Sequence, residues 1–279
     1  MMFDVEQAVR MRKSVRAYEN RPLSEKDKSL INGWISKFGS EEGPFPVPIN
    51  IYLLEAKKDT DAERLGTYGV IRGATSFLGV TVKNTEGAME AVGYRFEKLV
   101  LAAAAEGLGT CWLAGTFNRE QFSNAMNISE EEIFPIVCPI GYPLEKKTLV
   151  NSVFRKFSNA DKRKEWSELF FENEFGNPLT KEKAGEYAFP LEMLRLAPSA
   201  ANRQPWRVVC KDNAFHFYRE ENPKGKYPYD LQRLDVGIGA CHFHLAAEEC
   251  SLKGTFLTLS NISISAPNGM KYLFSWATH

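Results

Sequence analysis

Two stretches of this chain combine side chains suited to a flat, anionic ligand. Arg12-Lys13-Ser14-Val15-Arg16 places three cations and a hydroxyl within five residues. Alternate residues of an extended segment share a face, so Arg12, Ser14 and Arg16 project together. Two guanidinium forks beside a hydroxyl suit a phosphate monoester, because arginine contacts phosphate oxygens in a planar, bidentate way. A solvated basic turn would have the same composition, and the run alone does not separate the two.

The second stretch is Ala197-Pro198-Ser199-Ala200-Ala201-Asn202-Arg203-Gln204-Pro205-Trp206. Its small residues let a backbone approach a planar ring closely. Asn202 and Gln204 offer amide donors and acceptors. The competing reading is an ordinary helix-to-strand loop.

Other chemistry is thinner. Cys241 and His244, with His242 beside them, sit at helical spacing, yet an Ala-rich context favours packing over a metal site. Asp230, Arg233 and Asp235 read either as a surface ion network or as a pocket mouth. Tyr68, Arg72 and Trp112 could neighbour a ligand or serve elsewhere. The sequence holds no Ser-His-Asp string, no Walker A loop and no G-x-G-x-x-G after a strand.

The elements that must position these residues follow from patterning. Asp4 caps a helix reaching Arg12, and residues 14–18 run extended. Ser24, with Asp27 three residues on, caps a helix that presents Leu30, Ile31, Trp34 and Ile35 on one face. Strands are expected at 50–55, 76–83, 136–140 and 206–210. Helices are expected at 89–106, ended by Gly107 and Gly109, and at 191–196. Glu130 starts a short turn, 146–164 is a basic connector, and 221–229 is a Pro-, Gly- and Lys-rich candidate lid.

With these residues in place, the chain resembles the nitroreductase family of FMN enzymes. Arg-Lys-Ser-Val-Arg and Pro-Ser-Ala-x-Asn-x-Gln-Pro-Trp look like its two signature motifs. The likeness extends to Leu101–Gly115, to Gly141-Tyr142-Pro143 and to the basic Lys162-Arg163-Lys164. It implies an α+β nitroreductase-like fold with mixed or antiparallel sheets flanked by helices. It further implies FMN held at its phosphate by Arg12, Lys13, Ser14, Arg16, Arg163 and Lys164. Backbone amides near Leu113, Ala114 and Gly115 would face the reactive edge of the flavin. Pro198, Ser199, Ala200, Asn202 and Gln204 would meet the ribityl chain and ring. No side chain is then required as a nucleophile. Hydride would pass from NAD(P)H through flavin N5 to a small acceptor such as a nitroaromatic or quinone. A non-enzymatic flavin-binding relic of the fold is the alternative, and dehalogenating or flavin-cleaving relatives are a third.

An internal repeat sharpens this. Pro22-Leu23-Ser24 parallels Pro178-Leu179-Thr180, while Leu101-Ala102-Ala103 and Leu108 parallel Leu245-Ala246-Ala247 and Leu252. The register of Pro22 on Pro178 carries Arg12 onto Glu168, Ser14 onto Phe170 and Arg16 onto Glu172. The second copy thus has carboxylates where the first has cations, and like charge repels a phosphate. Conversely, the first copy reads Gly39–Pro46 where the second has its Asn and Gln-Pro-Trp. The expectation is two half-repeats, 1–155 and 156–279, forming a pseudo-dimer with one surviving flavin site.

Bulk properties fit. Lys+Arg and Asp+Glu both number 35, so nothing global points to nucleic acid or an anionic membrane. Five cysteines without a C-x-x-C pair read as buried free thiols of a reducing compartment. No signal peptide or membrane span is read, which leads to a cytoplasmic protein, and the internal pseudo-dimer leads to a monomer.

Overall fold

The computed structural model describes residues 3–40, 43–55, 66–129, 131–144, 162–221 and 229–279. The turn expected to start at Glu130, most of the 146–164 connector, the boundary at 155 and the interior of the 221–229 segment lie outside them.

The order of elements is α1 (Val5–Met11), α2 (Glu25–Ser40), β1 (Ile49–Glu55), β2 (Ser76–Lys83), α3 (Ala88–Ala105), β3 (Gly109–Thr110), α4 (Arg119–Met126) and β4 (Glu132–Gly141). Then come α5 (Trp166–Leu169), β5 (Phe170–Glu172), α6 (Lys181–Ala184), α7 (Ala188–Leu196), β6 (Trp206–Lys211), β7 (Ala214–Glu220), α8 (Leu231–Glu249), β8 (Gly254–Leu257) and β9 (Met270–Thr278). The expected α+β class holds.

The strands form two sheets. One runs β1-β2-β4-β3, wholly antiparallel; the other runs β5-β6-β7-β9-β8. Only β5 and β6 pair in parallel within the second sheet. Strand β4 starts earlier than patterning suggested, because Glu132 and Ile133 extend the pairing with Lys83 and Val82 of β2 past an irregularity.

Two helices form the centre. Helix α3 is buried along nearly its whole length and α8 along most of it. The polar side chains they bury are partnered, Glu90 with Arg233 and Glu97 with His242. The two helices cross where neither carries a side chain. A Cβ on Gly93 would lie 2.1 Å from the Leu234 carbonyl oxygen, and one on Gly237 would lie 2.4 Å from that of Glu90. That approach fixes the first turns of α8 against α3. Helix α1 packs on α3, α7 and α8. Its Asp4 cap accepts from the Gln7 amide at 2.7 Å, and Val5, Ala8 and Val9 are buried at helical spacing. Among the described residues no helix is long and apolar enough to cross a membrane.

Candidate functional site

A cleft of about 980 Å³ opens between the end of α1, the 112–116 segment, the loop after α7 and the start of α8. The extended 14–18 segment forms one wall. It is held by backbone bridges: Val15 N–H donates to Thr110 O at 2.8 Å, and Arg72 N–H donates to Arg16 O at 2.9 Å. Arg12, Lys13, Ser14 and Arg16 all line the cleft. Arg12 Nε is buried there with no hydrogen-bond partner among the described residues, which suits an anionic oxygen. Arg10 also lines it, with its guanidinium held 2.7 Å from Glu6.

The opposite wall is the loop after α7, to which Pro198, Ser199, Ala200 and Asn202 contribute. Arg163 joins them, donating to Leu196 O at 3.1 Å and to Asn202 Oδ1 at 3.3 Å. Three residues of this loop take left-handed backbone conformations: Ala201 (φ 51°), Asn202 (φ 55°) and Gln204 (φ 50°). Such angles are unfavourable for residues with a Cβ and persist only when neighbours enforce them. The enforcing bonds are visible. Gln204 N–H donates to Ser199 Oγ at 2.8 Å, and Asn202 Nδ2 donates to Lys162 O at 2.7 Å.

Two expected contacts fall outside the cleft lining. Gln204 is buried; its amide donates to Asn202 O at 3.1 Å and accepts from Lys164 N–H at 2.7 Å. It stabilises the loop from behind. Lys164 points away to Glu220 at 3.6 Å, and burial pulls its pKa below the usual lysine value.

Leu113, Ala114 and Gly115 line the cleft as expected. The Leu113 amide, however, donates to Val137 O at 2.9 Å, so of the three only the Ala114 and Gly115 amides lack a backbone acceptor among the described residues. Arg119 fixes this turn by donating to Ala114 O at 2.7 Å.

The ambiguous candidates separate. Among Asp230, Arg233 and Asp235, Asp230 caps α8 and pairs with Arg219 at 2.7 Å. Arg233 pairs with Glu90 at 2.5 Å and with Glu86. Asp235 alone lines the cleft. Its carboxylate accepts from Ala200 N–H at 3.0 and 3.2 Å, and burial raises its pKa to about 7. Trp112 also lines the cleft and donates from Nε1 to Glu97 at 2.8 Å, whereas Tyr68 is exposed and Arg72 braces the Arg16 wall. His242 is fully buried between Glu97 and Met193 O, and no metal-binding group of side chains occurs among the described residues. Met11, Val70, Ile136, Leu196, Leu234 and Ile238, which supply the apolar lining, had no signal beyond their place in apolar faces.

The family model described as Putative TM nitroreductase matches residues 4–247. No curated protein matches the chain. The structure of a putative nitroreductase from Thermotoga maritima has a TM-score of 0.61 at 19% identity, covering 100% of this chain and 95% of that one. A Bacteroides fragilis nitroreductase with bound FMN matches at 19% identity and TM-score 0.41, covering 52% of this chain and 91% of that one. An FMN-dependent nitroreductase from Clostridium difficile matches at 15% identity and TM-score 0.41, covering 51% and 90%.

Proposed function

Because the chain belongs to the Putative TM nitroreductase family, we propose that it is an FMN-dependent oxidoreductase passing hydride from NAD(P)H to a small acceptor such as a nitroaromatic or quinone. One observation carries this reading: Arg12, Lys13, Ser14 and Arg16, from the start of the chain, line the same cleft as Pro198 to Asn202, far along it. When bound, FMN would supply the hydride chemistry at its N5. The protein's own residues bind and orient. Arg12, Lys13, Arg16 and Arg163 would neutralise the phosphate, and the buried Nε of Arg12 would gain a partner. The amides of Ala114 and Gly115 would approach the reacting edge, and Asn202 would orient ring or ribityl chain. The apolar face of α8, with Leu234 and Ile238, would exclude water from the flavin.

The chain is read as a fusion of two half-copies, 1–155 and 156–279, acting as a cytoplasmic monomer with one FMN. Each half carries one sheet and one central helix. The helices stop with matching bonds, Leu108 N–H to Ala103 O and Leu252 N–H to Ala247 O. They also meet through glycines, Gly93 and Gly237.

The test is the visible spectrum of purified protein. A yellow protein whose flavin band is bleached by NADH or NADPH is expected, with one FMN per chain by titration. Protein that takes up no FMN overturns the reading. Bound flavin that neither nucleotide reduces would instead support a non-enzymatic flavin carrier.

A further inference from the structure

The loop that would meet the flavin is not held by its own residues alone. Ala200 N–H ties it to another element, donating to both carboxylate oxygens of Asp235 on α8. The donor directly precedes the left-handed pair Ala201 and Asn202. Asp235 sits one turn before Ile238, on the face of α8 that lines the cleft, and is almost wholly buried. A buried carboxylate without an ionic partner is expensive, and burial raises this one to about 7. The groups acting on it are Arg203 from the loop and Asp230 from the start of its own helix. On α8 and α3, Arg233 and Glu90 are engaged with each other. Nothing in the packing of α8 needs an acid here, since its neighbours on that face are Leu231, Leu234 and Ile238.

We propose that Asp235 is a positioning residue that holds the 198–204 loop in its ligand-binding conformation by accepting the Ala200 amide. This rests on the flavin reading of the cleft for its purpose, though not for its geometry. A strained loop needs an external restraint to be preorganised before the ligand arrives, and preorganisation lowers the ordering cost of binding.

Two variants separate a clamp from a charge. Asp235→Asn keeps a carbonyl oxygen that can accept from Ala200, while Asp235→Ala removes it. If Asp235 acted only through its negative charge beside an anionic ligand, both variants would bind FMN more tightly than wild type. The clamp predicts that Asp235→Ala weakens FMN at least tenfold at pH 8, and that Asp235→Asn stays within about threefold. Hydrogen exchange on protein without FMN gives an independent arm. Amides of 199–204 are expected to exchange at least tenfold faster in Asp235→Ala than in wild type, with Asn restoring protection. Equal exchange in all three proteins overturns the proposal, as does tighter FMN binding by both variants. Should no form bind FMN, the flavin reading fails while the exchange data still decide the clamp. If Asp235→Ala does not fold, faster loop exchange in a folded Asp235→Leu supports the clamp and unchanged exchange overturns it.

Discussion

Glu97 Oε1 meets His242 Nε2 at 2.9 Å across the central helix pair, with neither side chain exposed. The contact is one link of a chain. Glu97 Oε2 accepts from Trp112 Nε1 at 2.8 Å, and His242 Nδ1 donates to Met193 O at 3.1 Å. The wall of the cleft is thereby tied through α3 and α8 to α7. Replacing Glu97 by alanine takes the partner from both Trp112 Nε1 and the buried His242 Nε2. Leaving a buried polar group without its partner costs about 1–3 kcal/mol. Urea unfolding of Glu97→Ala should show a loss of that order, with altered tryptophan emission as Trp112 loses its acceptor. A loss below about 1 kcal/mol would mean that the network contributes little to stability.

The glycine crossing gives a second prediction. Gly93 and Gly237 are sites where a Cβ would press on backbone atoms of the other helix, which cannot rotate away. Overpacking a tight core costs about 1–3 kcal/mol. Gly237→Ala is expected to fall in that range by denaturant midpoint. It should also weaken FMN binding, because the start of α8 carries Leu234 and Asp235 into the cleft. Gly33→Ala is the control: the added methyl meets nothing within 4 Å, so no loss is expected.

The phosphate assignment is tested by Arg12→Ala with Arg16→Ala. Charge-assisted contacts contribute about 1.5–3 kcal/mol each, so the double variant should bind FMN roughly 10²–10⁴-fold more weakly and purify without colour. Riboflavin, which lacks the phosphate, should bind wild type and variant about equally. Full flavin occupancy in the variant would remove Arg12 and Arg16 from the phosphate site.

Asp235 makes stability depend on pH in an unusual direction. Its folded pKa, about 7, lies above the 3.8 of a free aspartate, so the folded state holds the proton more tightly. Its contribution is therefore fully present below pH ~4 and is lost as pH rises towards 7. Between pH 5 and 8 the loss should be on the order of 2–3 kcal/mol. Asp235→Asn has no such titration. Its stability relative to wild type should rise by that amount from pH 5 to pH 8, measured by urea unfolding in parallel. A gap independent of pH would show that the carboxyl does not titrate in that window.

Much of the cleft was legible because its motifs are local. Arg12 to Arg16 and Pro198 to Asn202 each carry their chemistry within a few consecutive residues, and both line the site. Helix starts were legible at Asp4 and Ser24, where the capping side chains bond as their spacing suggested. Residues that act across the fold were not. Asp235 was read only as part of a surface ion network or a pocket mouth, and its bond to Ala200, a partner from a different element, had no local signal. Gln204 misleads for the opposite reason: an amide side chain satisfies a loop as readily as a ligand, and here it turns inward. The Leu113 amide was equally hidden, because its partner Val137 belongs to a strand whose register no local pattern announces.

Both walls of the cleft belong to one polypeptide. A pocket assembled from separate subunits empties as the subunits fall apart on dilution, since its integrity follows the association equilibrium. Here the cationic segment and the loop with left-handed residues stay tethered at any concentration, and their encounter is intramolecular. Ligand occupancy should then track the ligand alone, as well at nanomolar protein as at millimolar.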